Sequence, residues 1–415
     1  MASKRLNMFR KNKTQETTEN GALYKGCDIV QYPKCQQHRH TNGYTAKMCW
    51  SNTSSAFVSG GTNGRHPDDT DGSKYLETVN RVVIPACLQL VHQDFPDYKH
   101  RLNQLLTENA ILFPNWSATI DIVYKRLTKD KLTDQNLTNM WILRACIDIM
   151  ASSATLLDDI SDGAGVRQER AAWHETCAGG APAAVYDALL MISLPYYLVG
   201  KFMRHHQHYT SLITKIGQLS YTGCMGVSLE MFSTGADQRS QLSPEKVLYV
   251  NGQKLAPYFQ MLPTFGMLMA GRSDEKSITA MESIFYQFGV MEQYWNDLND
   301  YWKSMKNLGH SIGDIERGAL TWMSAYAIQT LDEDRRKIFK ECYGSSDSGK
   351  CARIRQIYNH MNIPKLYMEF LKRKDKELNE IIATMDDPKL RQICFDYKQW
   401  LIGGLESKQV NAICK

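Results

Sequence analysis

The sequence predicts an all-α fold, a single large bundle of helices. Leu, Met and Ala recur at helical spacing through long segments, and the 415 residues include only 12 Pro. No run alternates between apolar and polar residues, as a half-buried strand would. The chain is 43% hydrophobic, so it can bury a sizeable core. Length alone would allow two or three domains, but a large helical domain can exceed the usual size.

Helical spacing of apolar residues predicts the elements in order. Ser73 caps the start of the first helix, and Pro257 and Pro263 predict a distortion within 244–271. The predicted helices cover 73 onward, 98–112, a segment to about 127, 138–157, 184–199, 211–233, 244–271, 277–305, 318–331, 333–342, 351–361, 365–383 and 388–402.

The composition of residues 1–72 predicts a disordered or loosely ordered basic leader, because the segment is rich in Asn, Thr, Ser, Gly and Lys and lacks apolar periodicity. Residues 1–65 carry a net charge of +7, against −2 for the remainder, so no nucleic-acid partner is expected. A cytoplasmic location is expected. The basic first fifteen residues leave a mitochondrial presequence as the alternative, which Glu16 and Glu19 weaken.

Membrane insertion and disulfides are not expected. The longest apolar run, 188–199, is shorter than a membrane span and contains Pro195. Eleven Cys are scattered without paired spacing, which favours a reducing compartment. One alternative is a zinc site in the leader, although its spacing matches no common finger. Its candidate ligands are Cys27, Cys35, His38, His40 and Cys49.

An acidic stretch, DDISD, ends the helical pattern at 138–157. Asp158 and Asp162 are four residues apart, so their carboxylates share one helix face, with Asp159 beside them. Clustered carboxylates repel one another, and a cation relieves that repulsion. Oxygen ligands without Cys or His favour Mg²⁺. The alternative is a solvated acidic helix end.

A second acidic stretch, NDLND, lies late in the 277–305 helix. Asn296, Asp300 and Ser304 follow at i, i+4 and i+8, and Asp297 is one position off that face. Two such rows facing each other could hold a diphosphate through Mg²⁺. Four aromatic residues flank the stretch and could pack in the core or stabilise a cation. They are Tyr294, Trp295, Tyr301 and Trp302.

These motifs resemble the all-helical trans-prenyltransferase family, which includes farnesyl diphosphate synthase. DDISD and NDLND resemble its two aspartate-rich motifs, residues 309–315 (GHSIGDI) its GKIGTDI segment, and 254–263 the segment that carries a diphosphate-binding lysine. The similarity runs from about 75 to 402. It implies the class I isoprenoid synthase fold for 73–415, a small-molecule allylic diphosphate substrate, Mg²⁺ and a homodimer.

The departures concern the family's second substrate, isopentenyl diphosphate. Pro114 and Ser117 stand where the family has a lysine and an arginine, and Gln168 follows Arg167 where it has a second arginine. Charged hydrogen bonds contribute about 1.5–3 kcal/mol each, so this substrate should bind poorly. An allylic cation without a coupling partner reacts with its own double bonds. The pattern therefore resembles the insect terpene synthases, including those of stink bugs, and implies a sesquiterpene synthase, with pheromone biosynthesis as one biological role.

The resemblance also assigns roles to individual residues. It gives catalytic roles to Asp158, Asp162, Arg167 and Lys254. It places substrate contacts at Arg167, Lys254, Ser153, Ala154, Gln293 and His310. It places metal ligands at Asp158, Asp159, Asp162, Asn296, Asp297, Asp300 and Ser304.

Ser153 and Ala154 fall where short-chain members of the family carry aromatic residues, so the resemblance implies a deeper pocket and favours a farnesyl over a geranyl chain. The alternative role of these small residues is close packing between helices. His310 stands where the family has a lysine, so one diphosphate contact is lost unless His310 or Arg317 compensates. The alternatives to a sesquiterpene synthase are a monoterpene synthase, a divergent prenyl diphosphate synthase and a non-enzymatic partner subunit.

Overall fold

The computed structural model describes residues 72–112, 114–129, 132–168, 170–233, 243–305 and 313–413. Of the predicted leader, only Gly72 is among these residues, so the alternative zinc site lies outside them. His310 also lies outside the described residues. The predicted all-α fold is confirmed.

The helices follow one another with short connections. Up to the first acidic stretch they are α1 (Gly72–Thr78), a π-helical turn (Val79–Val83), α2 (Ile84–Leu88), α3 (Pro96–Asn109), α4 (Pro114–Thr128) and α5 (Asp134–Asp162). A two-stranded hairpin of β1 (Val166–Arg167) and β2 (Arg170–Ala171) comes next. Then come α6 (Trp173–Thr176), α7 (Gly180–Phe202), α8 (Tyr209–Ser233), α9 (Pro244–Gly252), α10 (Ala256–Met269) and α11 (Glu275–Met305). The last are α12 (Asp314–Arg317), α13 (Trp322–Thr330), α14 (Glu333–Cys342), α15 (Ser348–Met361), α16 (Ile363–Ala383) and α17 (Pro388–Ile413).

Helix α10 lies at the centre of the bundle. Every residue of it except Gln260 is buried, as expected for a helix that is apolar on all sides. It packs most extensively against α11, and also against α4 and α8. Gly289 of α11 allows this contact, since a Cβ there would lie 2.5 Å from the Cα of Ala256. The two helices that flank the functional site are therefore held close together.

Four local features differ from the sequence-based expectations. Ser73, predicted to cap the first helix, lies inside α1, which already includes Gly72. The first acidic stretch lies inside α5, whose last residue is Asp162, rather than after it. The predicted distortion in 244–271 is a complete break: α9 ends at Gly252, α10 begins at Ala256, and Pro257 lies in its first turn. Because a proline in the first helical turn needs no amide partner, it starts α10 instead of bending it. The hairpin of β1 and β2 was not predicted, because two-residue strands leave no alternating pattern.

Within the part of the chain that the structure describes, two helices, α5 and α7, are long and apolar enough to cross a membrane by length and composition. In α5, 78% of the most apolar window is buried inside the bundle, so this helix has the character of a soluble core helix. In α7 the buried share is 44%. The difference arises because one face of α7 is exposed.

Candidate active site

The first acidic stretch is positioned by the two ends of α5. Thr133 caps the start of the helix by accepting a hydrogen bond from the Asn136 amide. Gly163 ends it in the left-handed conformation at φ 59°, which glycine adopts without a Cβ penalty. Asp158 and Asp162 therefore lie in the last turns, one above the other, as predicted.

Ala154 continues the row of Asp158 and Asp162 one turn earlier, and it is exposed. This places Ala154 on the open side of α5. Ser153 is fully buried, and its hydroxyl donates to the Met150 carbonyl at 2.8 Å. Of the two small residues predicted to give the pocket depth, the structure brings only Ala154 to the face of the aspartates.

Arg167 lies in the hairpin that follows α5 and turns back onto the acidic stretch. Its Nε donates to Asp159 Oδ1 at 2.9 Å, and one terminal nitrogen lies 3.5 Å from Asp158. Asp159 is buried, so its charge is balanced from within the protein. Gln168, at φ 50°, instead donates its side-chain amide to the Leu112 carbonyl at 3.0 Å.

The second acidic stretch uses its carboxylates in two ways. Asp297 is buried and accepts hydrogen bonds from Gln293 Nε2 at 3.0 Å and the Trp322 amide at 3.3 Å. Asp300 accepts from the Asp314 amide at 3.0 Å. Gln293, predicted to contact substrate, is thus buried against Asp297. Asn296 is half-buried on the predicted face, and the Ser304 side chain lies outside the described residues.

Arg317, at the end of α12, connects the two acidic stretches. One terminal nitrogen lies 2.5 Å from Asp162 Oδ2, and the other lies 2.7 Å from Asp314 Oδ1. The Asp314 amide in turn donates to Asp300. The predicted meeting of the two acidic rows therefore occurs, and an arginine lies between them. Asp314 belongs to the site although it was not among the predicted site residues.

Lys254 lies in the break between α9 and α10, where 10% of its side chain is exposed. Its Nζ is 2.5 Å from Glu230 Oε1. Gly226, one turn before Glu230 in α8, allows this approach, because a Cβ there would lie 2.3 Å from the Gln253 carbonyl oxygen. Glu230 was missed in the sequence. The available signal was that it is the only acidic residue in α8.

The aromatic residues around the second acidic stretch are largely part of the core. Tyr294 stacks between Trp322 and Phe370, with ring centroids 5.5 and 4.5 Å away. Tyr301 is buried and donates its hydroxyl to Asn359 at 2.8 Å. These contacts favour packing as the role of both tyrosines.

Among the described residues of this site, negative charge exceeds positive charge. The acidic side chains are Asp158, Asp159, Asp162, Glu230, Asp297, Asp300 and Asp314, and the basic ones are Arg167, Lys254 and Arg317. Burial, with repulsion from Asp158, raises the pKa of Asp162 to about 7. Burial also raises the pKa of Asp297 to about 7, and that of Asp314 well above its usual value.

This excess of four acidic groups decides what the site can bind. Buried carboxylates that are not neutralised either take up protons or bind cations. Oxygen-only ligands on two facing helices fit a hard divalent ion. Among the described residues no three acidic, His or Cys side chains converge on one metal-sized position. Arg167 and Arg317 lie against the carboxylates instead.

The comparisons with known proteins identify the family of this chain and a solved structure with a similar fold. A family model for polyprenyl synthetases matches residues 117–361, more than half of the chain. The chain belongs to the polyprenyl synthetase family. The matched segment contains both acidic stretches, Lys254 and Arg317. The solved structures that it resembles include T. brucei farnesyl diphosphate synthase complexed with bisphosphonate. The TM-score is 0.70 at 17% identity, covering 77% of this chain and 96% of that one.

Among relatives of this polyprenyl synthetase family member are insect and mammalian proteins. A sesquiterpene alcohol synthase of Murgantia histrionica is 28% identical over 81% of this chain and 87% of its own length. An IDS-type sesquiterpene synthase of Nezara viridula is 26% identical over 88% and 94%. Farnesyl pyrophosphate synthase of Bos taurus is 26% identical over 71% and 84%.

A second polar region, which we call the Ser117 cluster, contains Tyr75, Ser117, Asp121, Arg144 and Asp148. Ser117 is 0% exposed; its hydroxyl donates to Asp148 at 2.8 Å and accepts from Arg144 Nε at 3.0 Å. Arg144 pairs with Asp121 at 2.5 Å and lies over the Tyr75 ring at 4.0 Å, and Tyr75 donates to Asp148. The position where the family resemblance implies an arginine for the second substrate is thus sealed inside the bundle.

Proposed function

We propose that the protein is a sesquiterpene synthase that ionises farnesyl diphosphate with Mg²⁺ and converts the cation to a hydrocarbon or an alcohol. The observation that carries this proposal is the contrast at the two diphosphate positions. The allylic side has two partly exposed carboxylates, Asp158 and Asp162, and two basic groups, Arg167 and Lys254, whereas Ser117 is buried within its own hydrogen bonds. The similarity to two insect sesquiterpene synthases supports the same function.

The reaction begins when the bond between C1 of the farnesyl chain and the diphosphate oxygen breaks, with both electrons going to that oxygen. Mg²⁺ supplies charge neutralisation to the leaving diphosphate. Asp158 and Asp162 of α5, with Asn296 and Asp300 of α11, would hold it. Asp159 and Asp297 are engaged with Arg167 and Gln293, so they orient the ligands rather than complete the set.

Arg167 and Lys254 bind the diphosphate in this proposal. Arg167 contacts Asp158 of the first acidic stretch, and Lys254 contacts Glu230 and interacts electrostatically with Asp297 of the second. Both side chains carry hydrogen-bond donors that suit phosphate oxygens. The farnesyl chain extends from there along the open face of α5, past Ala154. One of the double bonds of the same chain then donates its electron pair to the allylic cation, which forms a new C–C bond and moves the positive charge to the other carbon of that double bond. Loss of a proton gives a hydrocarbon, and addition of water followed by loss of a proton gives an alcohol.

The deciding experiment supplies purified protein and Mg²⁺ with farnesyl diphosphate alone, with geranyl diphosphate alone, and with each plus isopentenyl diphosphate. We expect C15 hydrocarbon or alcohol from farnesyl diphosphate, and no effect of isopentenyl diphosphate. Longer prenyl diphosphates without these products would instead identify a divergent prenyl diphosphate synthase. Turnover of geranyl diphosphate without turnover of farnesyl diphosphate would identify a monoterpene synthase. No turnover would favour a non-enzymatic partner subunit.

We also propose that the protein is a homodimer formed across α7 and α8. The exposed face of α7 presents Tyr186, Leu189 and Tyr196, and Tyr221 of α8 is 68% exposed beside it. The hydroxyls of Tyr196 and Ser220, 3.1 Å apart, join the two helices into one surface. An apolar surface of this kind favours burial against a second copy. We expect Tyr186→Asp to shift the mass measured by light scattering from dimer to monomer, and Phe395→Asp on α17 to leave it unchanged.

A further inference from the structure

Arg317 lies where a cation shared by the two acidic stretches would lie. Its guanidinium bonds to Asp162 of α5 on one side, at 2.5 Å, and to Asp314 on the other, at 2.7 Å. Asp314 is itself joined to Asp300 of α11 through its backbone amide. The Arg317 side chain thus links α12 to α5, and the two bonded residues, Arg317 and Asp162, are 155 positions apart in the sequence.

The charge of Arg317 opposes any metal ion that approaches Asp162 alone. The side chain is 8% exposed, so solvent screens it weakly. Its positive charge also lowers the pKa of Asp158 and Glu230, partly offsetting the effect of burial. A divalent ion must therefore displace the guanidinium from Asp162 or bind beside it, and like charges repel in either case.

A bound diphosphate changes this balance. It brings several negative oxygen atoms between the two acidic stretches, and a guanidinium binds such oxygens through two parallel donors. The contacts that Arg317 loses at Asp162 can then be replaced by contacts with the diphosphate. Asp162 becomes available to the metal in the same step.

We propose that Arg317 acts as an internal counter-ion between the two acidic stretches until metal and diphosphate bind together. It holds Asp162 and Asp314 near each other in the substrate-free protein and then transfers its hydrogen bonds from Asp162 to the diphosphate. Metal alone binds weakly as a result, and metal with diphosphate binds strongly. The identity of the anion as a diphosphate rests on the proposed function.

The test measures binding rather than turnover. Binding of Mn²⁺ alone is followed by electron paramagnetic resonance, and binding of inorganic diphosphate in the presence of Mg²⁺ by titration calorimetry. For Arg317→Gln we expect about tenfold tighter binding of Mn²⁺ alone, because the competing charge is gone. We expect about tenfold weaker binding of diphosphate with Mg²⁺, because two charged donors are lost.

The control is Arg355→Gln. Arg355 pairs with Glu316, the residue next to Arg317 in α12, at 2.5 Å, and its side chain is 22% exposed. We expect this variant to change neither affinity. The proposal is wrong if Arg317→Gln leaves the affinity for Mn²⁺ unchanged. It is also wrong if Arg317→Gln weakens both affinities, because loss of structure alone would have that effect.

Arg317→Lys provides a second route if the glutamine variant does not fold. Lysine keeps the charge but cannot span two partners with a planar fork, so we expect Mn²⁺ binding to tighten by a smaller factor. Unchanged Mn²⁺ binding in a folded Arg317→Lys protein would contradict the proposal. Product formation by the wild-type protein is assayed separately, so a failure of the proposed sesquiterpene synthase function does not obscure the binding result.

Discussion

The acidic site is the candidate active site formed around the two acidic stretches. It and the Ser117 cluster both use aspartate and arginine side chains, yet they differ in exposure and in charge balance. The acidic site has seven acidic groups against three basic ones, and Asp158 and Asp162 remain partly exposed. In the Ser117 cluster, Arg144 faces Asp121 and Asp148, and all three are at most 1% exposed. Burial raises the pKa of Asp148 to about 7, so a proton on Asp148 supplies about half of the remaining charge balance near neutral pH.

Under the proposed function, this difference separates a region that binds a ligand from a neighbouring region that does not. Excess carboxylate charge at an open helix end attracts cations and, through them, a diphosphate. A closed and nearly balanced cluster has no unused charge for a ligand, and its hydrogen bonds contribute to stability instead. The following changes test that division, beginning with the largest expected effect.

Asp158→Ala should reduce product formation from farnesyl diphosphate by at least a hundredfold. The reason is that the leaving diphosphate loses part of its metal support, and a single electrostatic contact in an active site contributes about a factor of 10²–10³. Product is quantified by gas chromatography at saturating Mg²⁺. Glu369→Ala, an exposed acid on α16, is the control and should retain full activity. Near-normal activity of Asp158→Ala would overturn the metal assignment.

Arg144→Met should lower the free energy of unfolding by about 3–5 kcal/mol, because it removes the arginine that pairs with buried Asp121. Arg126→Met removes a comparable pair with Asp396, also at 2.5 Å, in which the arginine side chain is 28% exposed. That loss should be about 1 kcal/mol or less. Urea unfolding of both variants measures the contrast. Equal losses would show that the Ser117 cluster is not sealed from solvent.

Gly226→Ala should lower the free energy of unfolding by about 1–3 kcal/mol and reduce product formation. The added methyl would lie 2.3 Å from the Gln253 carbonyl oxygen, so α8 or the segment with Lys254 must shift. Gly223→Ala, in the same helix, meets no atom within 4 Å and should be neutral or stabilising by up to about 1 kcal/mol. Loss of activity in both variants would indicate a general effect on α8.

Asp148→Asn should flatten the pH dependence of stability. The pKa of Asp148 is about 7 in the folded protein and 3.8 as its ordinary value, so between these the folded state holds a proton that the unfolded state releases. Stability from this group is therefore lost as pH rises from about 4 to 7. Urea unfolding at pH 5 and pH 8 should show a smaller difference in the variant than in wild type. If the difference in unfolding free energy between pH 5 and pH 8 is the same in the variant and in wild type, the pH dependence arises from the other buried carboxylates.

The sequence predicted the parts of the site that depend on local spacing. The i, i+4 relation places Asp158 and Asp162 on one face, and the helix around Lys254 was expected to be distorted, as it is. Contacts between distant elements could not be predicted in this way. No spacing relates Arg317 to Asp162, or Glu230 to Lys254, because each contact depends on how α8, α10 and α12 are packed.

The Ser117 cluster could have been recognised in part. Arg144 and Asp148 are four residues apart within an otherwise apolar stretch of α5, so they share a face that must be buried. Their partners Tyr75 and Ser117 come from α1 and α4, and only the fold identifies them. The same packing buries Ser153 and Gln293, which the resemblance had placed in contact with substrate.

Helix α5 carries both regions on one rigid rod. Asp148 of the Ser117 cluster and Asp158 of the acidic site are ten residues apart, about 15 Å along the axis. Substitutions in the Ser117 cluster therefore act ten residues away from the carboxylates at the end of the same helix. In the proposed function, such changes alter the second-substrate region and leave the geometry of the metal-binding carboxylates intact.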